Sequence, residues 1–200
     1  VLMKGEPVDP QGFAQPFSAL VLSELARSDK ERGFLSQAQL DALVVAAADY
    51  MASITDYRGF DPRQGWRHGV AHTADLLARL ADHPKVNQKG LQRIVTAVGT
   101  QVIPGNSHFY IFGEPLRRAR PRMLVAQRGV MPMDEWRTWL AAYAKQPGGG
   151  SLFVSTSGLS RRHNLQELLF ALYININESA NETLVESLRR PVIEVVMAIN

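Results

Sequence analysis

Apolar positions recur every three or four residues along most of this chain, and alternating strand-like patterns of useful length are nearly absent, so the pattern predicts an all-α protein. Phe17, Leu20, Val21 and Leu25 mark a first helix, entered after Pro16 and ending near Ser28 and Asp29. Ser36 is a good N-cap for a second helix, whose core stripe is Leu40, Leu43, Val44, Ala47, Tyr50, Met51 and Ile54. Residues 56–65, rich in Gly, Pro and Asp, read as a loop. A third helix is expected over 66–80 and a fourth over about 87–103, before the break at Pro104 to Ser107.

His108 to Phe112 reads as a short extended piece. Two further helices, 114–128 and 133–145, place Trp136, Trp139, Leu140 and Tyr143 at core spacing. Pro147 to Ser151 has the composition of a flexible linker, and 152–160 continues it as a long connection. The last two helices are expected over 162–176 and 181–199, with Pro191 kinking the second or ending it early. About eight helices in antiparallel pairs suggest an armadillo- or HEAT-like right-handed superhelix; an irregular closed helical bundle fits the same pattern.

Composition narrows the class. The chain has 200 residues, 46% hydrophobic and 20% charged, which suits one soluble helical domain over 1–200. The absence of cysteine excludes thiolate catalysis and cysteine metal sites, and it fits a reducing cytoplasm. A net charge of +3 is too small an excess to mark a dedicated nucleic-acid binder. No apolar run is long enough to cross a bilayer. Val1 to Gly5 lacks the organisation of a signal peptide, and whether residues precede Val1 in a longer protein is left open.

The candidate chemistry centres on His68, His72 and Asp75. All three fall at i, i+4 and i+7 of the third helix and occupy one stripe roughly 60° wide, which Arg79 extends. Trp66, Val70, Ala74, Leu77 and Ala81 would then project from the other side. Two imidazoles one turn apart can bind one divalent ion with Asp75 supplying an oxygen, and Asp56, Asp61 or His108 could complete the set. A metal-bound water would make the site a hydrolase. His68 is followed by Gly69 and not by Glu, so the zinc-protease motif fails. The simpler account is that the three side chains hydrogen-bond to neighbouring backbone and hold the 56–65 loop. Tyr57, Arg58, Asp61 and Trp66 approach the same helix and furnish it as a ligand pocket would be furnished.

The stretch Asp56-Tyr57-Arg58-Gly59-Phe60-Asp61 leading into Gly65-Trp66-x-His68-x-x-Ala71-His72-x-x-Asp75 resembles the signature of the bacterial domain-of-unknown-function family numbered 2785. Phe112-Gly113-Glu114-Pro115-x-Arg117 is similar to a second segment of that family, where an acidic residue and an arginine open a helix. The resemblance covers the chain from about Phe17 onward. It implies an all-helical, armadillo-like fold and importance for His68, His72 and Asp75, and it carries no assigned catalytic residue.

Weaker signals stand beside it. The cluster Arg117, Arg118, Arg120 and Arg122 reads first as a solvated helix face and second as a phosphate-binding surface. Ser155, Thr156, Ser157 and Ser160 read as linker, since no nucleophile elbow frames them. The sequence therefore points to a cytoplasmic binding or scaffold protein whose working surface includes Tyr57, Arg58, Asp61, Trp66, His68, His72, Asp75 and Arg79, for a small molecule or protein partner. A metal-dependent hydrolase built on His68, His72 and Asp75 is the first alternative. Nucleic-acid binding through Arg117 to Arg122 is the second.

Overall fold

The computed structural model describes residues 9–145 and 152–199, and among these the chain forms eight helices and one two-stranded hairpin. The helices are α1 (Ala14–Arg32), α2 (Gln37–Ser53), α3 (Gly69–Ala81), α4 (Gln88–Thr100), α5 (Glu114–Gln127), α6 (Met133–Ala144), α7 (Thr156–Asn177) and α8 (Glu182–Ile199). The strands are β1 (Phe60–Asp61) and β2 (Gly65–Trp66), paired antiparallel with Phe60 opposite Trp66. The all-α expectation holds. The opening Val1 to Gly5 and the whole of the Pro147 to Ser151 linker lie outside the described residues, as do 6–8, 146 and 200.

Most of the packing joins helices of the same parity. α1 packs on α3, α3 on α5 and α5 on α7, while α2 packs on α4 and α6 on α8; α2 also meets α3, and α7 meets α8. The buried apolar side chains from Ala19 on α1 to Ile199 on α8 form one contiguous cluster. α3 is buried on nearly all sides, only Asp75 and Arg79 being partly open, because α1, α5, α2 and α4 all contact it.

Local chemistry sets most boundaries. Ser36 caps α2 in a full capping box with Gln39, each side chain answering the other's backbone N–H. Asn87 caps α4 by accepting from Gly90 N–H at 2.9 Å. α1 starts earlier than the pattern suggests, with Pro16 inside its first turn, where a missing N–H costs nothing. It also runs later, to Arg32, where Gly33 closes it in the left-handed region at φ 67°. A buried hydrogen bond between His83 Nε2 and Asp29 Oδ2, 3.1 Å long, joins the end of α1 to the turn after α3, and Asp29 also accepts from Leu35 N–H at 2.6 Å.

Several expectations give way. Residues 56–65 are not simply loop, since the end of that stretch builds the hairpin. The third helix begins at Gly69, so neither Trp66 nor His68 is on it. No strand forms over 108–112. The connection assigned to 152–160 is largely helix: Ser155 is the N-cap of α7, accepting from Gly158 N–H at 3.0 Å, and Thr156, Ser157 and Ser160 lie on its first turns. Pro191 does not end α8, which continues to Ile199, and Pro191 itself is buried against the core. A proline inside a helix removes one hydrogen bond, a loss that burial of its ring offsets here.

Gly59 is where the hairpin's entry strand touches the segment before α5. A Cβ there would fall inside the Phe112 ring. Gly59→Ala is therefore expected to cost about 1 to 3 kcal/mol by overpacking. In a chain of this size that lowers Tm by roughly 2 to 4 °C per kcal/mol. Thermal unfolding followed by circular dichroism checks it; an unchanged Tm would mean Phe112 is not held against Gly59.

Candidate functional site

His68 does not belong to a helical stripe. It is the N-cap of α3 in the left-handed region, at φ 56° and ψ 41°, a conformation costing a non-glycine residue about 1 kcal/mol. The hairpin holds it there: Arg67 N–H donates to Gly59 O at 2.9 Å, and His68 N–H donates to Arg58 O at 3.1 Å. His68 O then accepts the first α3 bond, from His72 N–H at 3.0 Å. His68→Gly should accordingly be more stable than His68→Ala by about 1 kcal/mol, since both lose the ring and only glycine escapes the backbone cost. Urea denaturation of the two variants measures this, and equal stabilities would contradict the strain.

The expected stripe divides into two environments. His68 and His72 are both about nine-tenths buried, with ring centroids 5.9 Å apart. Around them stand Trp66, 4.8 Å from the His68 ring, and Phe17, edge-on to His72 at 5.6 Å. Trp66 packs in turn on Phe60 and Phe112. Trp66, expected on the far side of the helix, is therefore on the histidine side. His68 Nε2 lies 3.3 Å from Glu114 Oε1, an ion-pair distance without hydrogen-bond alignment, and His72 Nδ1 has no hydrogen-bond partner among the described residues.

Burial pushes the His72 imidazole below its ordinary value, and neighbouring His68 pushes the same way against the opposing pull of Asp75. For Glu114 burial acts upward. The His68 imidazole and the backbone N–H groups of Glu114 and Phe112 outweigh it and hold the carboxyl below the usual range. Glu114 also accepts from Phe112 N–H at 2.9 Å. Gly113, in the left-handed region at φ 87°, makes the turn that starts α5 and brings this carboxylate back toward α3.

Asp75 and Arg79 face elsewhere. The Arg117 guanidinium grips Asp75 with both ends of its fork, Nε donating to Oδ1 at 2.7 Å and Nη2 to Oδ2. The two segments that carry the family resemblance thus meet twice across the α3 and α5 contact, as His68 with Glu114 and as Asp75 with Arg117. Beside the second pair a cleft of about 390 Å³ opens between α1, α3 and α5. Asp75, Arg79, Asp82, Arg117 and Arg120 line it with Glu24, over a base that includes Leu20, Ala78 and Leu124.

The remaining candidates are held locally. Tyr57 stacks on His108 with centroids 5.1 Å apart. Arg58 pairs with Asp56 and donates to Pro10 O at 3.2 Å. Asp61 accepts from Arg63 and Gln64 N–H groups at 2.8 Å each, closing the hairpin turn. His68, His72 and Asp75 are not drawn to one point. Among the described residues no group of three or more His, Asp or Glu side chains is placed to hold a metal ion. Asp56, Asp61 and His108 do not complete such a set.

The basic cluster also departs from expectation. Arg118 and Arg122 are fully buried, so half of the expected solvated or phosphate-binding face is inside the protein. Arg118 donates to Gln101 O at 2.5 Å and sits over the Tyr110 ring. Arg122 donates to Val98 O at 3.0 Å and to Arg118 O at 2.6 Å, and sits over Trp139. Together they close the C-terminal carbonyls of α4. Glu114, absent from the expected site, had its signal in the second family-like segment; the cleft had none.

Against known proteins, the family described as Protein of unknown function (DUF2785) matches residues 3–174. The match starts before Phe17 and stops short of the final helix. No curated protein and no solved structure matches. No helix among the described residues is long and apolar enough to cross a membrane.

Proposed function

This chain belongs to the DUF2785 family, and from that premise we propose that it is a helical binding protein whose ligand site is the cleft between α1, α3 and α5. The observation that carries the reading is the cleft itself: its volume of about 390 Å³ suits a small molecule, and convergent charged groups line it. Of the residues expected at the site, Asp75 and Arg79 contact the ligand. Trp66, His68 and His72 build the wall behind, and Tyr57, Arg58 and Asp61 hold the hairpin that positions it. The alternation of odd- and even-numbered helices supports an armadillo- or HEAT-like arrangement for the scaffold.

A thermal-shift screen of small anionic, neutral and cationic compounds tests the reading, run on the native chain and on Leu20→Trp, which fills the cleft from α1. The expected result is a ligand that raises the Tm of the native chain and not of the variant. A ligand that stabilises both equally would place binding elsewhere.

A further inference from the structure

We infer that the ligand of the α1/α3/α5 cleft is a small doubly charged oxyanion, a phosphate monoester or a dicarboxylate, bound between the guanidinium groups of Arg79 and Arg120. The inference rests on the cleft being a binding site, and it names the chemistry that site selects. Each carboxylate of the lining already has a cation: Asp75 has Arg117, Asp82 has Lys30 at 2.7 Å, and Glu24 has Arg27 at 2.8 Å, a cation it shares with Glu31 at 3.4 Å. Arg79 and Arg120 are the lining cations left over. Neither makes an ion pair or hydrogen bond among the described residues, although Glu24 feels the charge of Arg79 at longer range.

The lining itself carries three arginines and three carboxylates, and because Lys30 and Arg27 answer Asp82 and Glu24 from outside it, the charges of Arg79 and Arg120 are left for a dianion to match. Their positions are complementary as well. Arg79 projects from α3 one turn beyond Asp75, and Arg120 from α5 three residues beyond Arg117, so one free guanidinium stands on each of two packed helices. The paired fork of Arg117 and Asp75 lies between those helices and ties them at a fixed separation. A planar guanidinium offers paired donors that fit the oxygens of a carboxylate or phosphate. Both chemistries present the same two-oxygen edge, which is why the experiment has an arm for each.

The test is isothermal titration of the native chain at low ionic strength with phenyl phosphate and with succinate, using neutral succinamide and cationic putrescine as controls. Binding of at least one dianion is expected, weakened about tenfold or more in Arg79→Gln and in Arg120→Gln, the worth of one charge-assisted hydrogen bond. Arg93→Gln, on α4 away from the cleft, should bind as the native chain does. Binding of phenyl phosphate alone identifies a phosphate ligand, and of succinate alone a dicarboxylate. Dianion binding that survives both arginine substitutions overturns the inference. If succinamide or putrescine binds and is lost in Leu20→Trp, the cleft stands and its anion selectivity falls. If no probe binds at millimolar concentration, the dianion inference falls; the broader thermal-shift screen then decides separately whether the cleft binds anything.

Discussion

Arg122→Ala is expected to destabilise the protein by about 3 kcal/mol, a drop of roughly 6 to 12 °C in Tm for a chain of this length. The native guanidinium is fully buried, and among the described residues it has no carboxylate partner. Burial pushes it down to about 9, so it remains charged at neutral pH. What compensates the charge is the negative end of α4, whose Val98 carbonyl it meets, together with the face of Trp139. Truncation to alanine leaves a cavity the length of an arginine stem and takes the charged donor from the Val98 carbonyl, which keeps only the 3.3 Å bond from Gln101 N–H. Arg122→Met keeps most of the volume and removes the desolvated charge, so it should lose only about 1 kcal/mol or less. Urea denaturation of both variants checks the contrast. An alanine variant as stable as the methionine one would show that the buried stem fills no space the fold needs, and would contradict the contrast.

Glu114→Ala has the second large effect, about 2 to 3 kcal/mol, because it strands the Phe112 N–H and the His68 ring together in a buried site. Glu114→Gln preserves an acceptor for Phe112 and should recover about half of that loss. The pH dependence follows from the same groups. A carboxyl held low in the folded state stabilises fully above its unfolded value near 4.5 and loses that contribution as pH falls through the folded value below it. An imidazole held low acts in the same direction at higher pH. His72 is neutral when folded, so the unfolded chain takes up its proton first, and stability begins to decline below about 6.5. His108, also lowered by burial, adds to that decline.

Stability should therefore fall in two stages as pH is lowered from neutral, the first below about 6.5 and the second below about 4.5. The upper stage should shrink in His72→Phe, which keeps a ring against Phe17 and removes the proton site. Denaturant midpoints measured across that range decide it; an identical upper stage in His72→Phe would assign the decline to other groups.

The helices were legible because three- and four-residue spacing survives whatever packs on it: Leu40, Val44, Ala47 and Met51 are buried as their period requires. Boundaries were less legible where side-chain chemistry overrides pattern. Ser155 reads as linker by composition and as an N-cap only once Gly158 N–H is seen to reach it. The hairpin is two residues a side, too short for any alternation to register. Its consequence is large, since it takes His68 off the helix and splits a stripe that ideal geometry makes continuous. Arg118 and Arg122 carry no mark in the sequence that separates a buried guanidinium from an exposed one. What distinguishes them is the end of α4, brought near by packing between residues about 20 positions apart.

The candidate site was half legible for the same reason. His68 and Asp75 stand out through local spacing, but their partners Glu114 and Arg117 belong to another helix, and only the second family-like segment signalled them. The cleft is a property of three helices together, and no one segment encodes it. Its location is the central claim. Backbone amide shifts of the isotope-labelled chain, followed by nuclear magnetic resonance during titration with phenyl phosphate and, separately, succinate, test it most directly. The account predicts changes concentrated at residues 20–24 of α1, 75–82 of α3 and 117–124 of α5. Changes centred on Phe17, Phe60, Trp66 and His72, with the cleft silent, would contradict it and move the working surface to the aromatic wall.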